Sequence, residues 1–140
     1  MSQDNLKKAS LKILVLDSHK LFLDGIIEIL RQQYPQAEII TAQTADAALN
    51  QVCNEQPHLI IMELALAEKP GMIAPTNTGI QLLKNLLQNY PHLHIVVQSD
   101  YLRTLVQLKQ EINSHHGGFT VADKRFANKE MLLTRVNWAL

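Results

Sequence analysis

The chain has a single cysteine, Cys53. An internal disulfide is therefore excluded, and its place inside a helical pattern reads as a small buried hydrophobe rather than a redox centre. Neither sign of charge is in excess, since Lys plus Arg and Asp plus Glu both number 13. That removes the electrostatic footprint of a nucleic-acid backbone or an anionic membrane as a partner. No apolar run approaches the roughly 20 residues of a membrane-spanning helix, and the first ten residues are mostly polar, unlike a secretory leader. A cytosolic location follows as the expectation. No Gly-rich phosphate loop is present, because only Gly25 follows the first apolar run, and it lies within a helical pattern. His92, His94, His115 and His116 lack a second ligand pair at a recognised metal spacing and read as solvated loop histidines. His19 has no supporting serine or cysteine motif, so no enzyme, metal or cofactor is expected.

What the sequence does contain is alternation. Its 140 residues, 46% hydrophobic and 19% charged, suit one globular domain. Short apolar runs at 12–17, 37–42, 58–64, 93–98 and 118–123 alternate with amphipathic stretches. This pattern predicts an α/β, doubly wound parallel sheet covered by helices on both faces. The first helix carries Leu21, Phe22, Ile26, Ile29 and Leu30 and ends before Pro35; the second begins near Thr44, packs through Ala47, Ala48, Leu49 and Val52, and stops before Pro57. The third spans about 79–89, with a stripe of Ile80, Leu82, Leu83, Leu86 and Leu87; the last two cover about 101–113 and 128–140. Residues 1–10 read as a polar tail and 11–140 as the domain. The apolar pattern runs to Leu140 without a capping glycine, which suggests a fragment of a longer chain.

The run Lys12-Ile13-Leu14-Val15-Leu16-Asp17-Ser18-His19-Lys20-Leu21 resembles the first strand and Asp-Asp-His-Pro-Leu signature of response regulators of the NarL/FixJ type. Gln56-Pro57 through Glu63-Leu64 is similar to the stretch that ends at the receiver phosphosite, Gly79-Ile80-Gln81-Leu82-Leu83 to the opening of the next helix, and Pro91 to Ser99 to the fourth strand with its terminal hydroxyl. Gly117 to Lys124 resembles the fifth strand and its lysine, although counting from Gly118 would place that lysine near Ala122; Phe119 or Val121 then stands at the switch aromatic. The resemblance implies a flavodoxin-like receiver sheet, strand order 2-1-3-4-5, with Asp17, Ser18, Glu63, Ser99 and Lys124 at strand ends around the phosphorylation pocket.

That pocket departs from the family pattern twice. Ser18 replaces the acid that binds metal directly, and Mg²⁺ needs near-octahedral oxygen ligation, so metal affinity should be weak or absent. Glu63 stands where a phosphate-accepting aspartate is expected, and its extra methylene shifts the carboxylate by roughly 1 Å, a misplacement worth about 10²-fold in a positioned reaction. Two readings of Glu63 stand side by side: it imitates phosphoryl contacts with Lys124 and Ser99, or it simply pairs with Lys124. Asp100 reads as the N-cap of the fourth helix. The connection 65–78 is about eight residues longer than the resemblance implies, with an apolar Met72-Ile73 pair suited to docking.

Partner surfaces are expected at Leu23 and Ile27 on the first helix, at Leu105 and Leu108 on the fourth, and at Met131 and Trp138 on the fifth, beside a core stripe of Leu132, Leu133, Val136 and Leu140. The expected function is that of a pseudo-receiver: a phosphorylation-independent signalling module working through a protein partner or homodimer, with a DNA-binding output outside this chain. A conventional Mg²⁺-dependent phospho-receiver and a small-molecule sensor using the old pocket are the alternatives.

Overall fold

The computed structural model describes residues 11–67, 76–124 and 128–140. Five parallel strands form one sheet in the order β2-β1-β3-β4-β5: β1 Lys12–Leu16, β2 Glu38–Ala42, β3 Leu59–Met62, β4 His94–Ser99 and β5 Phe119–Asp123. Between them run α1 Lys20–Gln33, α2 Ala45–Glu55, α3 Thr76–Asn89, a 3₁₀ segment Leu102–Leu108 continued by α4 Lys109–Ser114, and α5 Lys129–Ala139. The expected topology is thus the observed one, and the connection 65–78, including Met72-Ile73, lies mostly outside the described residues, as does the tail 1–10.

The strand alternation assigns each side chain to one of two cores. Leu14 and Leu16 of β1 face a layer built from Ala48 and Val52 of α2 and Ile80, Leu83 and Leu86 of α3. Ile13 and Val15 face the opposite layer, where Leu23, Ile26 and Leu30 of α1 meet Leu132 and Val136 of α5. β1 and β3 are buried on both faces, which is why they read as unbroken apolar runs. Helix ends follow local chemistry. Thr44 Oγ1 accepts the Ala47 N–H at 3.3 Å and Asn128 Oδ1 accepts the Met131 N–H at 2.8 Å, while α2 stops on left-handed Gln56 (φ 48°) before Pro57. Gly79 lies where a Cβ would run into the Leu64 carbonyl, so α3 packs directly on the backbone leaving β3.

Four expectations are corrected. Leu23 is core, at 3% exposure, whereas Leu21 is 87% exposed; α1 buries the i, i+3, i+7 edge Leu23-Ile26-Leu30. Leu108 is also core, and Leu105 is half-buried against the α2/α3 layer, as are Leu102, Phe119 and Val121. The reason is the 3₁₀ winding: with three residues per turn, Leu102, Leu105 and Leu108 align on one edge, so the segment does not form the single α-helix over 101–113 that its composition predicts. Cys53 is exposed, not buried, because α2 packs through Ala45, Ala48 and Val52, and the residue after Val52 turns away by roughly 100°. Leu133 and Leu140 are only half-buried, with Ala139 completing the α5 stripe of Leu132 and Val136.

Of the four histidines expected as solvated loop residues, His92 and His116 are exposed, whereas His94 and His115 are half-buried and bonded. His58 Nδ1 accepts the Lys12 N–H at 3.0 Å and His94 Nδ1 accepts the Gly118 N–H at 2.9 Å, so each ring satisfies a strand-start donor that the ladder leaves unpaired. His115 Nε2 lies 2.6 Å from the Leu93 carbonyl. Burial, followed by the neighbouring His115 and His58, lowers the His94 pKa below the ordinary histidine range. A folded pKa below the unfolded value of about 6.5 makes the contribution full above that pH and lost as pH falls through the folded pKa. Unfolding free energy should therefore fall as the pH drops through the histidine range, and part of that fall should be due to His94. Urea titrations of wild type and His94→Gln, whose amide oxygen can still accept from Gly118, check this. Parallel pH dependences for the two proteins would remove His94 as the cause.

Candidate functional site

At the carboxyl ends of the strands, where chain order reverses around β1, a doubly wound sheet opens its crevice. Asp17 follows β1 and Glu63 follows β3, each held at its backbone by extending the ladder: Asp17 N–H donates to Ala42 at 3.2 Å and Glu63 N–H to Leu16 at 3.0 Å. Lys124 follows β5 directly. Its ammonium donates to Asp17 Oδ2 at 2.8 Å and to Glu63 Oε1 at 3.1 Å, with the side chains 11%, 2% and 4% exposed respectively. The sheet therefore brings Lys124, rather than Ala122, to Glu63. The Phe22 ring centroid lies 4.1 Å from the same nitrogen, a cation–π contact supplied by α1.

The second oxygen of each carboxylate is also engaged. Asp17 Oδ1 accepts the His19 N–H at 2.8 Å, an i to i+2 side-chain turn, and Glu63 Oε2 accepts the Leu64 N–H at 2.6 Å. Burial penalises the Lys124 ammonium most, but hydrogen bonding and charge from Asp17 and then Glu63 outweigh it and raise its pKa above the ordinary lysine value. The result is a buried, charged triad with two carboxylates to one ammonium.

Ser18 and Ser99 sit at the same pole but outside the triad. Ser18 Oγ donates to the Ala65 carbonyl at 3.4 Å. Ser99 is fully buried, and its Oγ accepts the Tyr101 N–H at 3.1 Å. Glu63 does not reach that hydroxyl, so of the two readings of Glu63 the geometry contains the ion pair and lacks the Ser99 contact of a phosphoryl imitation. Asp100, expected as an N-cap, is exposed, and the residue at the N-cap of the 3₁₀ segment is Tyr101, with no side-chain cap hydrogen bond. Mg²⁺ does not fit this donor set. The two carboxylates converge on an ammonium, the neutral Ser18 hydroxyl turns to a carbonyl, and among the described residues no group of three His, Cys, Asp or Glu is disposed to hold a metal.

Gln98 is the residue that sequence reasoning missed. Strand alternation places it on the Val96 face of β4, one residue before Ser99. It is 4% exposed, and its Oε1 has no hydrogen-bond partner. Period-two counting from Ser99 could have located it, but not its missing partner.

The expected partner residues separate clearly. Leu23 and Leu108 belong to the core; Ile27, Leu105 and Met131 are half-buried; Trp138 is 66% exposed. The indole stands out from α5 with the Arg135 guanidinium 4.7 Å from its centroid, and Arg135 is itself fixed by donating Nε–H to the Val121 carbonyl at 2.7 Å. Val106 and Tyr101, on and beside the 3₁₀ segment, add further exposed apolar surface. Among the described residues no helix is long and apolar enough to cross a membrane.

Comparison with known proteins agrees with this architecture. Residues 13–136 match the family model for the response regulator receiver domain. The chain is similar to the transcriptional regulatory protein DegU of Brevibacillus brevis, 24% identical over 97 residues that cover 69% of this chain and 37% of DegU. It is also similar to the uncharacterized transcriptional regulatory protein YesN of Bacillus subtilis (strain 168), 29% identical over 91 residues that cover 64% of this chain and 23% of YesN. The matched region thus spans about a third or less of these curated relatives. Among solved structures, the chemotaxis response regulator CheY4 of Vibrio cholerae superposes with a TM-score of 0.68 at 20% identity, covering 93% of this chain and 98% of CheY4.

Proposed function

Because the chain belongs to the response regulator receiver family, we propose that it is a phosphorylation-independent receiver that signals by protein contact and regulates an output module, such as a DNA-binding domain, that is not part of this chain. The observation that carries this reading is the triad. Glu63, at the strand end where the resemblance expects the phosphate acceptor, has one oxygen on Lys124 and the other on its neighbour's N–H, so both oxygens are already engaged and held in place. Ser18 supplies no charge for a metal. The pocket is thereby held in one arrangement, and what varies in a signalling event is the partner rather than the phosphoryl state. Transcription regulation is carried over from DegU and YesN, both of which are transcriptional regulatory proteins.

Incubation with acetyl phosphate and millimolar Mg²⁺ should leave the intact mass unchanged, and one added phosphoryl group at Glu63 would overturn the proposal.

Contact is assigned chiefly to the α5 face. Burying an exposed, pre-positioned Trp with an adjacent Arg yields the kind of anchor that dominates interfaces. Trp138→Glu should weaken self-association or partner capture by at least tenfold, about 1.4 kcal/mol, with an unchanged circular dichroism spectrum because the ring is exposed in the monomer. Equal association of the two proteins by sedimentation velocity and partner titration would remove Trp138 from the interface.

A further inference from the structure

His58, His92, His94, His115 and His116 gather where the strands begin, at the pole opposite the triad, and three of these rings are used by the fold. His58 and His94 accept strand-start N–H groups, and His115 meets the Leu93 carbonyl. His92 and His116 are left over. Both are exposed, and among the described residues neither ring makes a hydrogen bond. They come from different loops yet stand edge to face, with ring centroids 5.7 Å apart.

Bonds on either side hold that pairing in place. Gly117 N–H donates to the Pro91 carbonyl at 2.8 Å, Gly118 N–H donates to His94 Nδ1 at 2.9 Å, and His115 Nε2 lies 2.6 Å from the Leu93 carbonyl. Each of the two histidines thus lies between clamped neighbours. Gly117 permits the close approach of the loops, because a Cβ there would run into the Leu93 carbonyl. With both backbones fixed, only side-chain torsions remain free, and little ordering entropy opposes a ligand that needs both rings.

The separation is that of a chelating pair. A borderline divalent ion sits about 2.1 Å from an imidazole nitrogen and hence about 3.2 Å from the ring centroid, so two such rings at a tetrahedral angle have centroids roughly 5.2 Å apart. Closing from 5.7 Å takes a shift of about half an ångström by two exposed rings. Imidazole suits Zn²⁺, Ni²⁺ and Cu²⁺, whereas Mg²⁺ and Ca²⁺ take oxygen ligands. Among the described residues no third His, Cys, Asp or Glu joins the pair, so the remaining coordination positions open to solvent.

We propose that His92 and His116 chelate one borderline divalent metal ion, Zn²⁺, Ni²⁺ or Cu²⁺, with water in the remaining positions. The ion ties the loop entering β4 to the loop entering β5. Because it binds the pair only when both loops are in place, it stabilises the folded chain by linkage. The site shares no residue with the Lys124 triad, so this inference and the proposed function succeed or fail separately.

Isothermal titration with Zn²⁺ should show one saturable site that millimolar Mg²⁺ does not compete for, and Cu²⁺ should bind more tightly than Zn²⁺. His92→Gln and His116→Gln should each weaken Zn²⁺ at least tenfold and cancel the rise in melting temperature that Zn²⁺ gives the wild type. Their circular dichroism should be unchanged, since both rings are exposed. Cys53→Ser, a control at the neighbouring exposed thiol, should bind Zn²⁺ like the wild type. Substoichiometric Cu²⁺ should broaden amide signals of ¹⁵N-labelled protein around His92 and His116 and leave those around Lys124 sharp. Zn²⁺ affinity unaltered in either histidine variant, or lost in Cys53→Ser, would overturn the proposal. So would the absence of saturable binding, or broadening centred away from the two rings.

Discussion

Replacing Lys124 by Met should lower the unfolding free energy by about 3–5 kcal/mol, the cost of removing one partner from a buried ion pair and stranding the other charge. The side chains of Asp17 and Glu63 are 2% and 4% exposed, so neither can recover its hydration when the ammonium is lost. Methionine fills a similar volume and keeps contact with Phe22, which confines the change to charge and hydrogen bonding. The pH dependence identifies the origin. Lys124 has a raised pKa in the folded protein, so its contribution is full below the unfolded value of about 10.4 and is lost as pH rises through the folded pKa. The difference between wild type and Lys124→Met should therefore hold from neutral pH to about pH 10 and shrink above it. It should also narrow in acid, where protonation relieves the stranded carboxylates. Urea unfolding followed by circular dichroism across this range measures both. A loss below about 1 kcal/mol at pH 7 would mean that the triad is hydrated and does not hold the pocket.

The convergence of Asp17, Glu63 and Lys124 was legible because it depends on topology. Once β-rich runs buried on both faces alternate with helices, strand ends collect at one pole, and any charged residue just past a strand joins the pocket. The lysine register was the exception. Counting from Gly118 points to Ala122, two residues short of the lysine that meets Glu63. Phase within α1 was not legible, because positions 21, 22, 23, 26, 27, 29 and 30 are all apolar; the sheet decides which edge turns inward, and it takes Leu23 while leaving Leu21 in solvent. Composition equally concealed the 3₁₀ winding over Leu102–Leu108, since a run rich in leucine suits an α-helix. The bonded state of His94 and the unpaired one of Gln98 were not legible for a related reason. Whether a strand-end polar group is paired depends on a neighbour distant in sequence, Gly118 for His94 and no partner for Gln98.

Restoring both acids should convert an inert pocket into a reactive one. In the double variant Ser18→Asp with Glu63→Asp, incubation with acetyl phosphate and millimolar Mg²⁺ should add one phosphoryl group at position 63, detectable by intact mass, from no detectable modification in the wild type. Each change removes a separate obstacle. Glu63→Asp withdraws the carboxylate by roughly 1 Å from the Leu64 N–H and the Lys124 ammonium, and placement at that scale governs about 10²-fold in rate. Ser18→Asp substitutes a charged oxygen donor for a hydroxyl that only reaches the Ala65 carbonyl, and clustered carboxylates are what hard-cation ligation requires. Lys124 keeps Asp17 at 2.8 Å as its anchor, so the double variant should fold, with a melting temperature within a few degrees of the wild type. Each single variant should stay unmodified, since one obstacle remains in each. Modification of the Ser18→Asp single variant would show that Glu63 is a competent acceptor and would defeat the proposed function. An inert double variant with an intact fold would place the block in the Lys124 contact or in the connection 65–78, and Lys124→Arg in that background would tell these apart by altering only the first.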